Sequence, residues 1–184
     1  IKGPHITIHK TPPHPESLDA LGPGNLSSGA INFLKQTLTQ GRSIVVAASS
    51  YSSNPLHTLG ALAGSIEGNA RIVTITHGAP FNIQQAQLIS LRAGNQTKQT
   101  SELLQHALAL KPGYIVDGPS LSSLENIETL MCAGHRSFLA TIYAASPDEA
   151  SALLLLKSRK GPDILLIQEN DTGGQAIITG IFEV

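Results

Sequence analysis

A serine-rich loop is the part of this sequence whose residue types could bind an anion. It follows residues 43–48, an apolar, partly β-branched run of the kind that parallel sheets bury on both faces. It leads into Pro55, which suits the first position of a helix because the N–H group that proline lacks has no partner there. Free N–H groups and the helix dipole favour negative charge at such a position. The candidate loop consists of Ser49, Ser50, Tyr51, Ser52, Ser53, Asn54 and Pro55.

A working triphosphate loop has the pattern GxxxxGK[ST], in which glycines wrap the phosphates, lysine neutralises them and the hydroxyl group holds Mg²⁺. Here the lysine position falls on Asn54 or Pro55 and the hydroxyl position on Pro55 or Leu56, because a one-residue shift stays open. Neither alignment restores the motif, and Tyr51 is bulky where the backbone should approach the anion. Loss of one charged hydrogen bond costs about 1.5–3 kcal/mol. A capped surface turn is therefore favoured over a residual phosphate cradle.

Strand-like and helix-like segments alternate along the rest of the chain, with short loops between them. This order predicts an α/β fold with a mainly parallel sheet, flanking helices and a C-terminal antiparallel hairpin. Residues 1–24 are predicted to form an N-terminal strand and a Pro-rich arm, and residues 25–184 one domain. The predicted helices span residues 28–41, 55–66, 100–110, 121–132 and 146–157, and the predicted strands 43–48, 71–75, 86–92, 114–116, 138–142, 163–168 and 175–184.

Composition excludes several classes of protein. The chain has 184 residues and a net charge of −1, with no basic block of the kind that contacts nucleic-acid phosphates. No apolar run approaches the roughly 18 residues of a membrane helix. Cys132 is the single cysteine, so no disulfide forms within the chain, and a cytoplasmic location is expected.

Three stretches resemble the type II and type IV secretion and pilus-assembly ATPases, most of all the branch that serves Tad/Flp-type pili. GPHITIHK at residues 3–10 is similar to that branch's GP-hydrophobic-TIRK lead-in, and RIVTI at residues 71–75 to its RIVTIED strand. ALALKP at residues 107–112 resembles the LRMRPD helix end, and GHRSFLATIYAASP at residues 134–147 resembles the GHxGSLATIHANSP box. The resemblance implies a RecA-like core, hexameric rings at the inner membrane, and ATP with Mg²⁺ as ligands.

The residues that the family uses for catalysis are not retained. Where the family has glycine and then the glutamate that orients water, this chain has Gly118 and then Pro119, which cannot act as a base. Asp117 lies two residues before Pro119 and is interpreted as a loop or strand-end cap. The acidic pair that follows RIVTI is replaced by Thr76 and His77.

The histidine box is retained only in part. His135 matches the first family histidine, whereas Tyr143 stands at the second. A structural role for His135, bonded to nearby backbone, is favoured over contact with a γ-phosphate or a neighbouring subunit. Between the last helix and the hairpin the family carries extra helices that this chain nearly lacks, which weakens the expectation of a ring.

Two further readings explain less of the sequence. A hydrolase would combine a loop serine with His135 and Asp117, but the GxSxG elbow is absent. A zinc site at His5 and His9 has no further ligands at a suitable spacing.

The sequence thus favours a non-catalytic relative of these ATPases that binds no cofactor. It would act as a structural or regulatory part of a secretion or Tad-like pilus system, in the cytoplasm and peripherally at the inner membrane. The expected partners are protein subunits, including an active paralogous ATPase or further copies of the chain, rather than nucleic acid. The alternative is an enzyme that binds ATP and Mg²⁺ through the altered loop and hydrolyses ATP slowly.

Overall fold

The structure is a computed structural model of the 184-residue chain. It describes residues 16–21, 24–49, 54–77, 81, 83–93, 97–118, 123–157, 161–170 and 176–184. The strand predicted near residues 6–10 and the Pro-rich stretch that follows it lie outside these ranges.

Seven strands form one sheet in the order β3-β2-β4-β5-β1-β6-β7. The first six run parallel, and β7 pairs antiparallel with β6. β1, β2, β4, β5 and most of β6 are buried because both faces of the sheet are covered, which explains their apolar, β-branched sequences. The strands are β1 (Ile44–Ala48), β2 (Ile72–Thr76), β3 (Leu88–Arg92), β4 (Tyr114–Asp117), β5 (Phe138–Tyr143), β6 (Ile164–Asn170) and β7 (Ala176–Glu183).

In the described ranges, five α-helices and one 3-10 helix, Leu18–Leu21, surround the sheet. The Ser27 hydroxyl accepts a hydrogen bond from the Ala30 amide and caps the first α-helix, as its residue type predicts. Every helix and strand predicted after residue 24 is found within a few residues of its expected bounds, and the α/β fold with a C-terminal hairpin is confirmed. The helices are α1 (Ser28–Thr39), α2 (Pro55–Gly64), α3 (Thr97–Ala109), α4 (Ser123–Cys132) and α5 (Pro147–Lys157).

The helices divide between the two faces of the sheet. We call the helices on one face, α1, α2 and the 3-10 helix, the α1–α2 layer, and those on the other the α3–α5 layer. Successive residues of the central strand β1 alternate between them: Ile44 and Val46 pack in the first, Val45 and Ala47 in the second. The same alternation directs Val116 of β4 toward the α1–α2 layer. Asp117, the next residue, therefore faces the α3–α5 layer.

Residues 16–21 belong to the α1–α2 layer. Leu18 is fully buried, Leu21 is nearly so, and the Leu18 amide donates to the Ser65 hydroxyl at the end of α2 (2.8 Å). The last part of the predicted N-terminal arm thus packs into the same core as the rest of the chain. The domain division at residue 24 itself stays a prediction.

Within the described part of the chain, no helix combines the length and the apolar character that crossing a bilayer requires.

Candidate functional site

The carboxyl ends of the parallel strands meet at one edge of the sheet, which we call the carboxyl edge. The ends of β1, β2 and β4 place Ser49, Thr76 and Asp117 at this edge, and α2 starts there as well. Open parallel sheets bind their ligands at this edge. The structure therefore gathers in one region all the predicted site residues that it describes except His135. Ser50, Tyr51, Ser52, Ser53 and Pro119 lie outside the described residues.

The N-terminus of α2 has an unusual backbone. Asn54 has a φ of 47°, in the left-handed region, and its side chain makes no capping hydrogen bond. Its carbonyl oxygen accepts the His57 amide (2.9 Å), and Pro55, the first helical residue, is buried. Pro55 offers no N–H group to a ligand. Asn54 is thus not a side-chain cap, and the described part of the loop does not supply the cap that the sequence suggested.

An apolar side chain covers the glycine at the end of β4. Leu56, in the first turn of α2, has its Cδ2 atom 3.6 Å from the position that a Cβ atom on Gly118 would take. Leu56 also packs against the core of the α1–α2 layer. In one of the two alignments Leu56 holds the hydroxyl position of the phosphate loop. A leucine fills that position without offering an oxygen to a metal ion.

No lysine or arginine stands in the sequence between Arg42 and Arg71, so α2 carries no permanent positive charge. His57 is the only titratable residue in its first turn. Burial lowers the pKa of His57, which favours the neutral imidazole at physiological pH. The start of α2 therefore lacks the cation that would neutralise a triphosphate.

Uncharged polar side chains lie beneath α2 at the carboxyl edge. Thr58 Oγ1 donates to Oε1 of Gln168 on β6 (2.5 Å), and both residues are buried. Thr141 of β5 is fully buried, and its Oγ1 has no hydrogen-bond partner among the described residues. Sequence reasoning missed these three residues, although polar residues within buried strand runs were a usable signal for Thr141 and Gln168. We call this group the polar floor.

We expect Thr58→Val to lower the free energy of unfolding by about 1–3 kcal/mol, because it removes a donor from the buried Gln168 oxygen without changing the side-chain shape. Thr58→Ser keeps the hydroxyl group and is the matched control. Urea unfolding of the three proteins measures the difference. Unchanged stability of Thr58→Val would mean that the hydrogen bond to Gln168 contributes nothing to the free energy of unfolding.

The two residues that replace the family's acidic pair face opposite layers. Thr76 points toward α2, since alternate residues of β2 face the same layer as Ile72. His77 points the other way, with its Nε2 atom 3.3 Å from Oγ1 of Thr100 on α3. Only Thr76 could face a ligand at the start of α2, and it carries no charge.

Asp117 also faces away from α2. It is 1% exposed, and its Oδ2 accepts a hydrogen bond from Nδ2 of Asn126 on α4 (2.9 Å). Burial raises the pKa of Asp117 to about 7, and the Asn126 hydrogen bond opposes this only in part. The partner of Asp117 is a side chain on α4, not the backbone that a strand-end cap would bind. Asp117 therefore cannot hold a metal ion at the start of α2.

His135 lies at the other edge of the sheet, before the first residue of β5. Its amide donates to the carbonyl of Leu130 (3.0 Å), and its buried Nε2 has no partner among the described residues. Burial lowers the pKa of His135, and a backbone hydrogen bond at Ser137 partly offsets the effect. This position excludes contact with a phosphate at α2. It also excludes a triad with Asp117, which lies at the carboxyl edge.

The described residues contain no group of three or more His, Cys, Asp and Glu side chains that could hold a metal ion. The zinc alternative at His5 and His9 falls outside these residues.

This sheet, with its flanking helices and C-terminal hairpin, has the fold of the RecA-like ATPases of type IV secretion systems. The VirB11 ATPase of Brucella suis, in complex with sulphate, matches with a TM-score of 0.68 and 20% identity over 83% of this chain and 51% of that one. The Yersinia pseudotuberculosis ATPase DotB matches with a TM-score of 0.65 and 19% identity, over 94% and 49%. Legionella pneumophila DotB gives 0.61 and 14%, over 91% and 50%.

This chain spans about half the length of each of these structures. No family model matches the sequence, and a search of curated proteins finds no match. At these identities the likeness shows the fold, while the function depends on the site.

Proposed function

We propose that this chain is a non-catalytic relative of the secretion and pilus-assembly ATPases, serving as a structural or regulatory component of such a machine. The observation that carries the proposal is the start of α2. Pro55 is buried as the first helical residue, and Leu56 covers Gly118 where a phosphate loop would present a hydroxyl group. Restoring a triphosphate site would require a lysine, a hydroxyl group and open space at the same turn.

The distribution of charge supports the same proposal. ATP and Mg²⁺ need a cation near the phosphates and a carboxylate near the metal ion. The sequence has no lysine or arginine between residues 42 and 71, and the nearby carboxylate of Asp117 faces the opposite layer. A single substitution at the loop would therefore leave the acidic side of the site missing.

The partners follow from the fold rather than from a mapped surface. The fold is that of ATPases that work in type IV secretion systems, so we propose protein subunits of a secretion or pilus machine as partners. An active paralogous ATPase or another copy of this chain fits this role. The likeness of residues 3–10 and 134–147 to the Tad/Flp branch favours a Tad-like pilus, with the protein in the cytoplasm, peripherally at the inner membrane.

A second candidate is a nucleotide-binding ATPase with slow hydrolysis through an altered loop. The observation in its favour is the polar floor, because Thr58, Thr141 and Gln168 keep this part of the core polar beneath α2. Buried polar groups that serve no ligand are a cost to stability. However, an uncharged floor favours no particular charge on a ligand, so we rank this candidate second.

Millimolar ATP with Mg²⁺ should not raise the melting temperature of the protein. A ligand at 100 times its dissociation constant stabilises the folded state by about 2.7 kcal/mol, which a thermal scan detects as a shift of a few degrees. Isothermal titration with ATP and ADP then measures any weak binding, and a mass measurement of the assembly reports the oligomeric state.

The double variant Pro55→Lys/Leu56→Thr places a lysine and a hydroxyl group at the start of α2, and so tests whether these two groups alone restore the site. We expect it to gain some affinity for ATP but no turnover, because the carboxylate remains on the wrong face. Saturable, Mg²⁺-dependent binding of ATP to the unmodified protein would contradict the proposal. Turnover in the double variant would mean that another acidic group completes the site.

A further inference from the structure

A buried carboxyl group joins the sheet to the α3–α5 layer at the carboxyl edge. Asp117 ends β4, is 1% exposed, and is hydrogen-bonded through Oδ2 to the Asn126 amide on α4. Its other oxygen, Oδ1, is buried and has no partner among the described residues. An ionised carboxylate accepts hydrogen bonds at both oxygens, so one amide leaves it poorly solvated.

Among the side chains that the structure describes, no lysine or arginine packs beside Asp117. β2 places Ile75 beside it, and β5 places Ala140 on its other side. α4 contributes Asn126, and α3 packs nearby through Leu104. His77, just after β2, is a titratable side chain on this face and lies within hydrogen-bond distance of Thr100 on α3, whereas Glu102 and His106 of α3 are exposed. On α4, Glu125 is exposed and Glu128 partly exposed, and neither is among the residues that this helix buries.

We propose that Asp117 in its protonated form is a latch that holds α4 against the sheet under mildly acidic conditions and loosens as pH rises to neutral. Loss of the proton places a charge in an apolar layer where the described residues supply a single hydrogen-bond donor. The ionised carboxylate gains water only if α4 moves away, so ionisation and opening of α4 favour each other. The surroundings agree with this, since burial raises the pKa of Asp117 to about 7.

The latch makes the packing of α4 at the carboxyl edge depend on pH between mildly acidic and neutral conditions. Asp117 immediately precedes Gly118, which Leu56 of α2 covers, so movement of the end of β4 would reach both layers. The device does not depend on nucleotide binding and goes beyond the proposed function.

Native-state hydrogen exchange tests the latch on the intact chain from pH 4 to 8.5. After correction for the intrinsic pH dependence of exchange, the opening of peptides from α4 should increase up to tenfold per pH unit between about pH 4 and 7 and level off above about pH 7, while peptides from α1 stay unchanged. Asp117→Asn replaces the ionisable carboxyl group by an amide of the same shape. The opening of α4 in this variant should therefore not vary with pH. Asp148→Asn, at an exposed carboxylate, should behave like the unmodified protein.

Two further measurements keep the result decisive. Carbon NMR of the Asp117 carboxyl group should give a titration midpoint near neutral pH, and a midpoint below about 5, near that of a free side chain, would overturn the latch. Asn126→Ala should open α4 at every pH. Constant α4 protection in the unmodified protein from about pH 4 to 7, or the same pH dependence in Asp117→Asn, would likewise overturn it.

Discussion

Replacing Gly64 by alanine should lower the free energy of unfolding by about 3 kcal/mol, although the same change within a helix is usually stabilising by up to about 1 kcal/mol. A Cβ atom on Gly64 would overlap the carbonyl oxygen of Glu16 and lie 2.8 Å from its carbonyl carbon. Backbone cannot rotate away as a flexible side chain can. The 3-10 helix would have to move, which weakens the burial of Leu18 and the bond from its amide to Ser65.

The matched control is Gly29→Ala in the exposed first turn of α1. A Cβ atom there would meet only the Ser27 hydroxyl, at 4.0 Å, so we expect a gain of about 0.5–1 kcal/mol from helix propensity. Urea unfolding should give a lower free energy of unfolding for Gly64→Ala and a higher one for Gly29→Ala. If Gly64→Ala were as stable as the unmodified protein, residues 16–21 would not be packed against α2 in solution.

The elements of the fold were predictable from sequence because their signals are local. The apolar run of β1 and the helical spacing of Leu34 and Leu38 in α1 reflect burial against a whole layer, which any neighbouring element can supply. β3 gave the weaker signal because it is an edge strand with exposed Ser90 and Arg92. The contact between Gly64 and Glu16 left no signal, because it joins two backbones 48 residues apart.

The candidate site was predictable in its residues but not in its geometry. The missing lysine and glutamate could be seen from the motif alone, and the gathering of strand ends at one edge follows from parallel pairing. Which layer a strand-end residue faces depends on where the helices pack. Asp117 and Thr76 therefore seemed equivalent in sequence, whereas one faces α4 and the other faces α2. The polar floor was missed because Thr58 and Gln168 are 110 residues apart and meet only in the fold.

The opposite directions of the Asp117 and Thr76 side chains bear on the proposed loss of activity. A carboxylate one residue further along the chain, at position 118, would point toward α2 but would need space that Leu56 occupies. Apolar packing across this turn and the absence of a metal-binding carboxylate are therefore linked features. A chain that had lost only its lysine would keep an open, acidic site on the α2 face. Here Pro55 is buried and Leu56 packs beside Gly118, which supports the proposal of a fold kept for its structure.

The titration of Asp117 should lower the free energy of unfolding as pH rises from about 4 to 7. Below the unfolded pKa of 3.8 the Asp117 carboxyl group is protonated in both states, so it does not change the free energy of unfolding. Between that value and a folded pKa of about 7, the unfolded chain releases the proton while the folded chain keeps it, so the unfolded state gains stability with each pH unit. Above pH 7 both states are ionised and the full difference remains, at most about 4 kcal/mol.

Other carboxylates titrate in the same pH range and also change stability. The measurement is therefore the difference in free energy of unfolding between Asp117→Asn and the unmodified protein, from urea unfolding at pH 4 to 8.5. We expect the variant to become progressively more stable relative to the unmodified protein as pH rises, with the difference constant above about pH 7.5. The absolute offset at pH 4 reflects how well the amide fits beside Asn126 and does not affect this slope. A difference that stays flat across the range would mean that the carboxyl group ionises in the folded chain at its ordinary pKa. Burial against α4 would then not control its proton.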